Sequence, residues 1–484
     1  VAHPTRTSRR HFLQQTGTVT LASSLGPAAL AAAPAPPLDP AASYALETAS
    51  RLGRGRALNL ILPSGSEANL QPLIRLFTAQ TGVEVLARYV PVNDVNTYLL
   101  LAASKKDADF DIGLPASFGL TDLVEAKAIA PLDEYVARHE PKGYRNGLMQ
   151  QADGSWQGRY YGYQTDGDVY LGFLNRQVLR AADRHKRFAD QTGRPADQFS
   201  SWAELDELMA FYSAPDEQRY GGNLFRIPDY AVWEFWLRLH ETGTLPFDAD
   251  MRPQITSDAA TAALQALVDA TGSLAPGVRG ASLFDNWRDF KRGSSLINIG
   301  WGGSQKAFQQ STSLIRNQIA AFEPPASDSV REHGLPYFNW GWNYTVARAS
   351  AQPELAYLFM LFACSPSAST LAVREVDGYF DPFRAEHYSD PAIQSTYSPE
   401  FLELHQASLT HCLPDCHIGG QADYFSALAR FISLAVDGKL TAGEALNATA
   451  SRWRALTRQR GQDLQASAWA QVRARYPETY LGGA

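Results

Sequence analysis

Ser294-Ser-Leu-Ile-Asn-Ile-Gly300 runs directly into Trp301-Gly-Gly303 and reads as a buried strand that ends on an indole and two glycines. Working upstream, Ala57-Leu-Asn-Leu-Ile-Leu62 is a second strand and Pro63-Ser-Gly-Ser-Glu67 its turn. Leu70, Leu73, Ile74, Phe77 and Thr78 then recur at helical spacing, Gly82 follows as a C-cap, and Val83 to Tyr89 makes another strand. A helix around Tyr98 to Ala102 precedes Phe110-Asp-Ile-Gly-Leu114, and another, Thr121 to Ala126, precedes Ile129 to Tyr135. Strands alternating with helices predict a mostly parallel α/β sheet.

Gly162 to Asp166 leads into the strand Val169 to Asn175, where a second domain begins. Ser201 stands at a helix cap position with Glu204 in the first turn, and helices follow at Tyr230 to Glu241 and Ser257 to Ala270. The strand Asn343 to Arg348 enters an apolar helix, Pro353 to Cys364. Three helices, Tyr424 to Asp437, Thr441 to Arg458 and Leu464 to Tyr476, close the chain.

At 484 residues the chain holds two or three domains, each able to close its own core without metal or disulfide scaffolding. Its 43 Lys+Arg against 50 Asp+Glu leave no basic surface to neutralise phosphates, which argues against nucleic acid as a partner. The 10 Trp, 21 Tyr and 23 Phe often neighbour Gly, Asn or Asp, a mixture suited to stacking on a polar ligand. Ser8-Arg9-Arg10-His11-Phe12-Leu13, followed by an uncharged stretch from Thr16 to Ala33, reads as a twin-arginine export signal over 1–33. That stretch is too polar for a membrane span, and 34–54 is a Pro/Ala-rich tether in which a short helix, Ala42 to Arg51, is possible.

The succession of motifs resembles the extracellular solute-binding proteins of family 1, the periplasmic receptors that deliver sugars to ABC importers. The resemblance rests on Phe110-Asp-Ile-Gly with Leu120 to Tyr135, Val169 to Asn175, Ser201-Trp-Ala-Glu-Leu205, Phe290 to Trp301 and Tyr424 to Leu446, in the family's order. It implies an α/β fold of two discontinuous lobes with a ligand cleft between them: 55–160 plus 337–376, and 161–332 plus 379–476. It also implies a monomeric periplasmic protein without catalysis or cofactor, whose partners are a carbohydrate or polyol and a membrane permease.

Ligands of open α/β sheets sit beyond the carboxyl ends of the strands. That rule selects Ser64, Ser66, Glu67, Asn69, Ser117 and Phe118 on the first lobe, with Tyr163, Asp166, Asp168, Trp301, Gly302 and Gly303 closing from the second. The family's ligand-stacking tryptophan falls on Trp301. Trp340, Trp342, Tyr379 and Asp381 are further candidates for ligand contact or hinge packing, and Tyr424 stands where the family often places an aromatic. Asp166 and Asp168, two apart on an extended strand, point the same way and do not flank a bond to be hydrolysed.

His411-Cys-Leu-Pro-Asp-Cys-His417 departs from the family pattern. Cys412 and Cys416 read as a short-loop disulfide in an oxidising compartment, or with His411 and His417 as a soft-metal site. The alternatives to a receptor are an exported metal or redox protein, a secreted hydrolase, and an adaptor on the same two-lobe scaffold. No Gly-rich phosphate loop, Gly-x-Ser-x-Gly elbow or His-Glu-x-x-His motif is present.

Overall fold

A computed structural model describes residues 37–105, 110–150, 154–326, 330, 337–338 and 341–477. The leader expected over 1–33 and the candidate Trp340 lie outside the described residues. Order begins earlier than the tether reading implies. Asp39 caps the helix Pro40–Gly53 by accepting from the amides of Ala41 and Ala42. Ala41, Ala42, Ala45, Leu46 and Ala49 form one buried stripe on it, which packs on the helix Pro353–Ala363.

Four strands follow in the first lobe: β1 (Ala57–Pro63), β2 (Glu84–Val90), β3 (Ile112–Gly113) and β4 (Gly162–Gln164). Four more build the second: β5 (Tyr170–Asn175), β6 (Tyr220–Gly222), β7 (Ser295–Trp301) and β8 (Ile319–Phe322). The chain then returns to the first sheet as β9 (Asn343–Val346). The sheet orders are β2-β1-β3-β9-β4 and β8-β5-β7-β6.

Two expectations change here. The sheets are mixed: β2-β1-β3 and β6-β7 pair in parallel, but β9 runs antiparallel to β3 and β4, and β5 antiparallel to β7 and β8. A strand that re-enters from the other lobe arrives with no crossover helix to turn it round. The second boundary is the lobe division at residue 161. β4 pairs with β9 as Gly162↔Thr345 and belongs to the first sheet, so the chain crosses at 165–169.

Local signals set most other elements. Gly82, at φ 71°, ends the helix Glu67–Thr81 in the left-handed conformation that its missing Cβ permits. Ser201 accepts from the Glu204 amide at the start of the helix Trp202–Tyr212. The helix Pro353–Ala363 is buried from Leu355 to Ala363, in the core of the first lobe. The helix Pro228–Glu241 is fixed by a buried ion network: Arg226 to Glu234 at 2.6 Å, and Arg238 to Asp206 through two contacts of 2.7 Å.

Candidate functional site

A narrow cavity lies between the sheets, at the end of β7. Val92, Trp342 and Tyr379 line it on one side, and Asp168, Tyr230, Leu283, Trp287, Trp301 and Gly303 complete it. It measures about 20 Å³, room for one water, so a larger ligand enters only when the lobes part.

Each wall is positioned by identifiable contacts. Trp301 ends β7 opposite Tyr170 and packs on that ring (4.6 Å between centroids) and edge-on to Tyr230 (5.5 Å). Trp287 rides on the helix Leu283–Phe290, which starts with a reciprocal Ser282–Asp285 capping box. A buried amide triangle holds that helix to the sheet: Asn298 Nδ2 donates to Asn286 Oδ1 (2.7 Å) and Asn223 O (2.8 Å), and Asn286 Nδ2 donates to Asn223 O (2.7 Å). Tyr379 is held by Asn69, whose side chain accepts from the Tyr379 amide (3.0 Å) and donates to Ala372 O (2.8 Å). Trp342 O accepts from the amide (2.8 Å) and hydroxyl (3.0 Å) of Thr165 in the first crossover.

Behind the cavity the crossovers touch. A Cβ on Gly167 would meet Pro382 O at 1.9 Å, one on Gly302 would meet Asp381 Oδ2 at 2.5 Å, and one on Gly303 would meet Tyr379 O at 2.6 Å. This proximity gathers Asp166, Asp168 and Asp381, whose carboxylate oxygens lie within 4.8 Å of one another. Asp166 Oδ1 accepts from the amides of Gly167 (2.8 Å) and Asp381 (2.6 Å), and Asp381 Oδ1 accepts from the Tyr397 hydroxyl (2.6 Å). Asp166 Oδ2 and Asp381 Oδ2 have no hydrogen-bond partner. Lys306 is buried beside them and donates to the carbonyls of Val373 (2.8 Å), Glu375 (3.1 Å) and Phe380 (2.7 Å).

Burial and then mutual repulsion hold Asp166 and Asp168 well above the usual carboxylate range, and burial pushes Asp381 up to about 7. Burial also lowers Lys306 to about 8, against the raising pull of Asp381 and Asp166. A raised carboxyl pKa means that the folded form binds the proton more tightly than the unfolded chain. That contribution is present below pH 4 and is lost as pH rises through 7. Buried His240, His387 and His405 are lowered and act in the opposite sense. We therefore expect wild type to lose stability relative to Asp381→Asn, on the order of 2 kcal/mol, between pH 5 and pH 8. Urea unfolding of both proteins across that range checks it; parallel curves would contradict the raised value.

The rims of the cleft are in contact. Asn93 accepts from the Tyr230 hydroxyl and donates to Asp229 at 3.4 Å. Phe118 meets Trp233 edge-on at 5.8 Å. Thr121 donates to Ile418 O (2.9 Å), Asp122 accepts from the Ala422 amide (2.9 Å), and Glu125 pairs with Arg460 (2.9 Å).

Residues 73–398 match the family described as bacterial extracellular solute-binding protein. The chain belongs to that family. Among solved structures, maltose-bound MalE3 of T. maritima superposes with a TM-score of 0.70 at 18% identity, covering 83% of this chain and 100% of that one. A solute-binding protein of Agrobacterium vitis with bound D-mannitol gives 0.70 at 17%, covering 84% and 99%. One of Agrobacterium radiobacter in complex with ribitol gives 0.70 at 15%, covering 83% and 99%. No curated protein sequence matches the chain. The likeness establishes the two-lobe solute-binding fold, as the order of sequence motifs led us to expect.

Within this solute-binding fold, Trp301, Gly303, Asp168, Trp342 and Tyr379 line the cavity, while Gly302, Asp166 and Asp381 stand directly behind it. Asn69 positions Tyr379 without lining the cavity. Ser64, Ser66 and Glu67 form the turn after β1: the Ser64 amide donates to Val90 O, Ser66 Oγ to Pro63 O, and the Gly65 amide to Glu67. The Ser117 amide donates to Gly341 O, and Phe118 belongs to the rim.

Two candidates are displaced altogether. Tyr163 on β4 points into the first lobe, where its hydroxyl donates to Glu140 and meets Tyr357 Oη at 2.7 Å. Tyr424 is buried among C-terminal helices, with its hydroxyl 2.8 Å from Thr457 and its ring against Trp453 and Phe247.

Cys412 and Cys416 are not joined in a disulfide. Leu413–Pro414 is an extended pair that ladders with Tyr337–Phe338 and carries the cysteines apart, and Cys412 Sγ donates to Leu409 O instead. His411, Cys412, Cys416 and His417 do not converge on a metal-binding arrangement; among the described residues only the three aspartates do.

Sequence reasoning missed Val92, Tyr230, Leu283 and Trp287. The strand-end rule reaches Val92 when applied to β2. Tyr230 and Trp287 sit on helices, where nothing in the spacing separates a cleft aromatic from a core one.

Proposed function

We propose that this protein captures a small polyhydroxylated solute, a carbohydrate or polyol, between its lobes and passes it to the membrane permease of an ABC importer without altering it. The observation that carries this reading is the cavity itself. Trp301, Trp287 and Trp342 offer ring faces from both lobes, and two buried donors face the same space: Trp287 Nε1, without a hydrogen-bond partner among the described residues, and Tyr379 Oη, beside Ser66. Aromatic faces receive the C–H side of a sugar, and the two donors receive its hydroxyls. Among the described residues Asp168 alone of the clustered carboxylates lines the cavity, so no acid pair brackets a bond, which favours binding over hydrolysis. The family is extracellular, and Arg9-Arg10 with the stretch to Ala33 supports twin-arginine export of a folded, monomeric periplasmic receptor.

Maltose, mannitol, ribitol and their amino-substituted relatives are to be screened by thermal shift and tryptophan fluorescence, because a ligand that binds only the folded state raises Tm. We expect one structural class to raise Tm, quench the cleft tryptophans and be recovered unchanged after incubation. A panel without any response, or a compound recovered as cleavage products, would overturn the reading.

A further inference from the structure

We infer that the ligand of this cleft carries a protonated or quaternary ammonium group, seated among the aromatic rings against Asp168. The inference rests on the capture reading above and narrows its solute class to amino sugars, amino polyols and amino alcohols.

Three observations converge on a cation. Asp168 is only 5% exposed and faces the cavity, yet among the described residues its carboxyl group takes part in no hydrogen bond. Five of the nine lining residues are aromatic: Tyr230, Trp287, Trp301, Trp342 and Tyr379. No Lys or Arg is among the nine, so among the described residues no cation of the wall answers Asp168. Aromatic faces around one acid attract an organic cation through the ring quadrupoles and the charge together.

The charge balance points the same way. Oxygens of the three carboxylates lie within 4.8 Å of one another, and Lys306 is the cation that acts on two of them, Asp381 and Asp166. Lys306 already donates to three main-chain carbonyls and acts on Asp381 and Asp166, leaving Asp168 unanswered. Hydroxyls of a neutral sugar would hydrogen-bond Asp168 but bring no charge to the ring faces around it. An ammonium does both.

A metal ion fits less well. Calcium takes six to eight oxygen ligands. Here Asp166 and Asp381 each commit one oxygen to protein donors, and the remaining wall is aromatic.

The test uses matched pairs that differ in charge: D-glucosamine against D-glucose, and choline against its neutral isostere 3,3-dimethylbutan-1-ol. Each is titrated into the purified protein by calorimetry and tryptophan fluorescence, with maltose, mannitol, ribitol and calcium chloride as further arms. We expect the cation of at least one pair to bind about ten-fold tighter or more than its neutral partner. Asp168→Asn should remove that preference while keeping the ligand-free Tm, since the amide is isosteric with the carboxyl and no hydrogen bond within the protein is lost. Neutral partners that bind as well as the cations, or a response to maltose, mannitol or ribitol alone, would overturn the ammonium assignment and leave solute capture standing. A response to calcium alone would overturn it in favour of a metal. Silence in every arm would overturn both readings, and a preference for the cation that survives Asp168→Asn would remove Asp168 from the site.

Discussion

Lys306→Met lowers the unfolding free energy by about 3–5 kcal/mol, the cost of leaving buried charge uncompensated. Three interactions disappear together with the ammonium. The carbonyls of Val373, Glu375 and Phe380 lose their donor, and Asp166 and Asp381 lose the cation beside them. Because Lys306 stands on the helix Gly303–Gln309 that directly follows the strand ending at Trp301, the damage falls where both crossovers meet the cleft. Chemical denaturation of the variant at pH 7.5 measures it. The deficit should narrow toward pH 5, where the carboxyls hold protons and need less compensation. A loss below about 1 kcal/mol at pH 7.5 would mean that the carboxylates are already neutral in the folded protein.

Trp301→Ala costs a further kind of stability and the ligand with it. Trp301 is 4% exposed and packs on Tyr170, Phe225 and Tyr230, so truncation opens a cavity worth about 3–5 kcal/mol. The variant remains folded with a lowered Tm, and the ligand-induced rise in Tm vanishes because the central ring face is gone. Trp301→Phe separates the two effects: it retains a ring against Tyr170, restores most of the stability and leaves affinity reduced. Full ligand response in the alanine variant would place the ligand elsewhere.

The strands on either side of β1, the Gly82 stop, the Ser201 cap and the apolar helix 353–363 were legible because each depends on neighbours within a turn or a strand length. The carboxylate cluster was legible only in part. Asp166 and Asp168 stand together in sequence, but Asp381 joins them because the crossovers pack glycine against backbone, as Gly167 does on Pro382 and Gly302 beside Asp381. Lys306 gave no signal at all: a lysine in a seven-residue helix reads as a surface residue until the returning chain supplies three carbonyls.

Tyr163 and Tyr424 show the opposite error. Both flank motifs that point to the cleft, but each side chain is claimed by a closer partner, Glu140 with Tyr357 in one lobe and Thr457 with Trp453 in the other. The order of motifs along the chain determined the family, the α/β class and the existence of two lobes, since hydrophobic period and cap residues are local properties. Which side chains face the ligand, where the lobes divide between β4 and β5, and why Cys412 and Cys416 remain apart were decided only in three dimensions. Those outcomes depend on contacts between segments roughly 200 residues apart, such as β4 with β9 and Gly167 with Pro382, for which spacing along the chain carries no information.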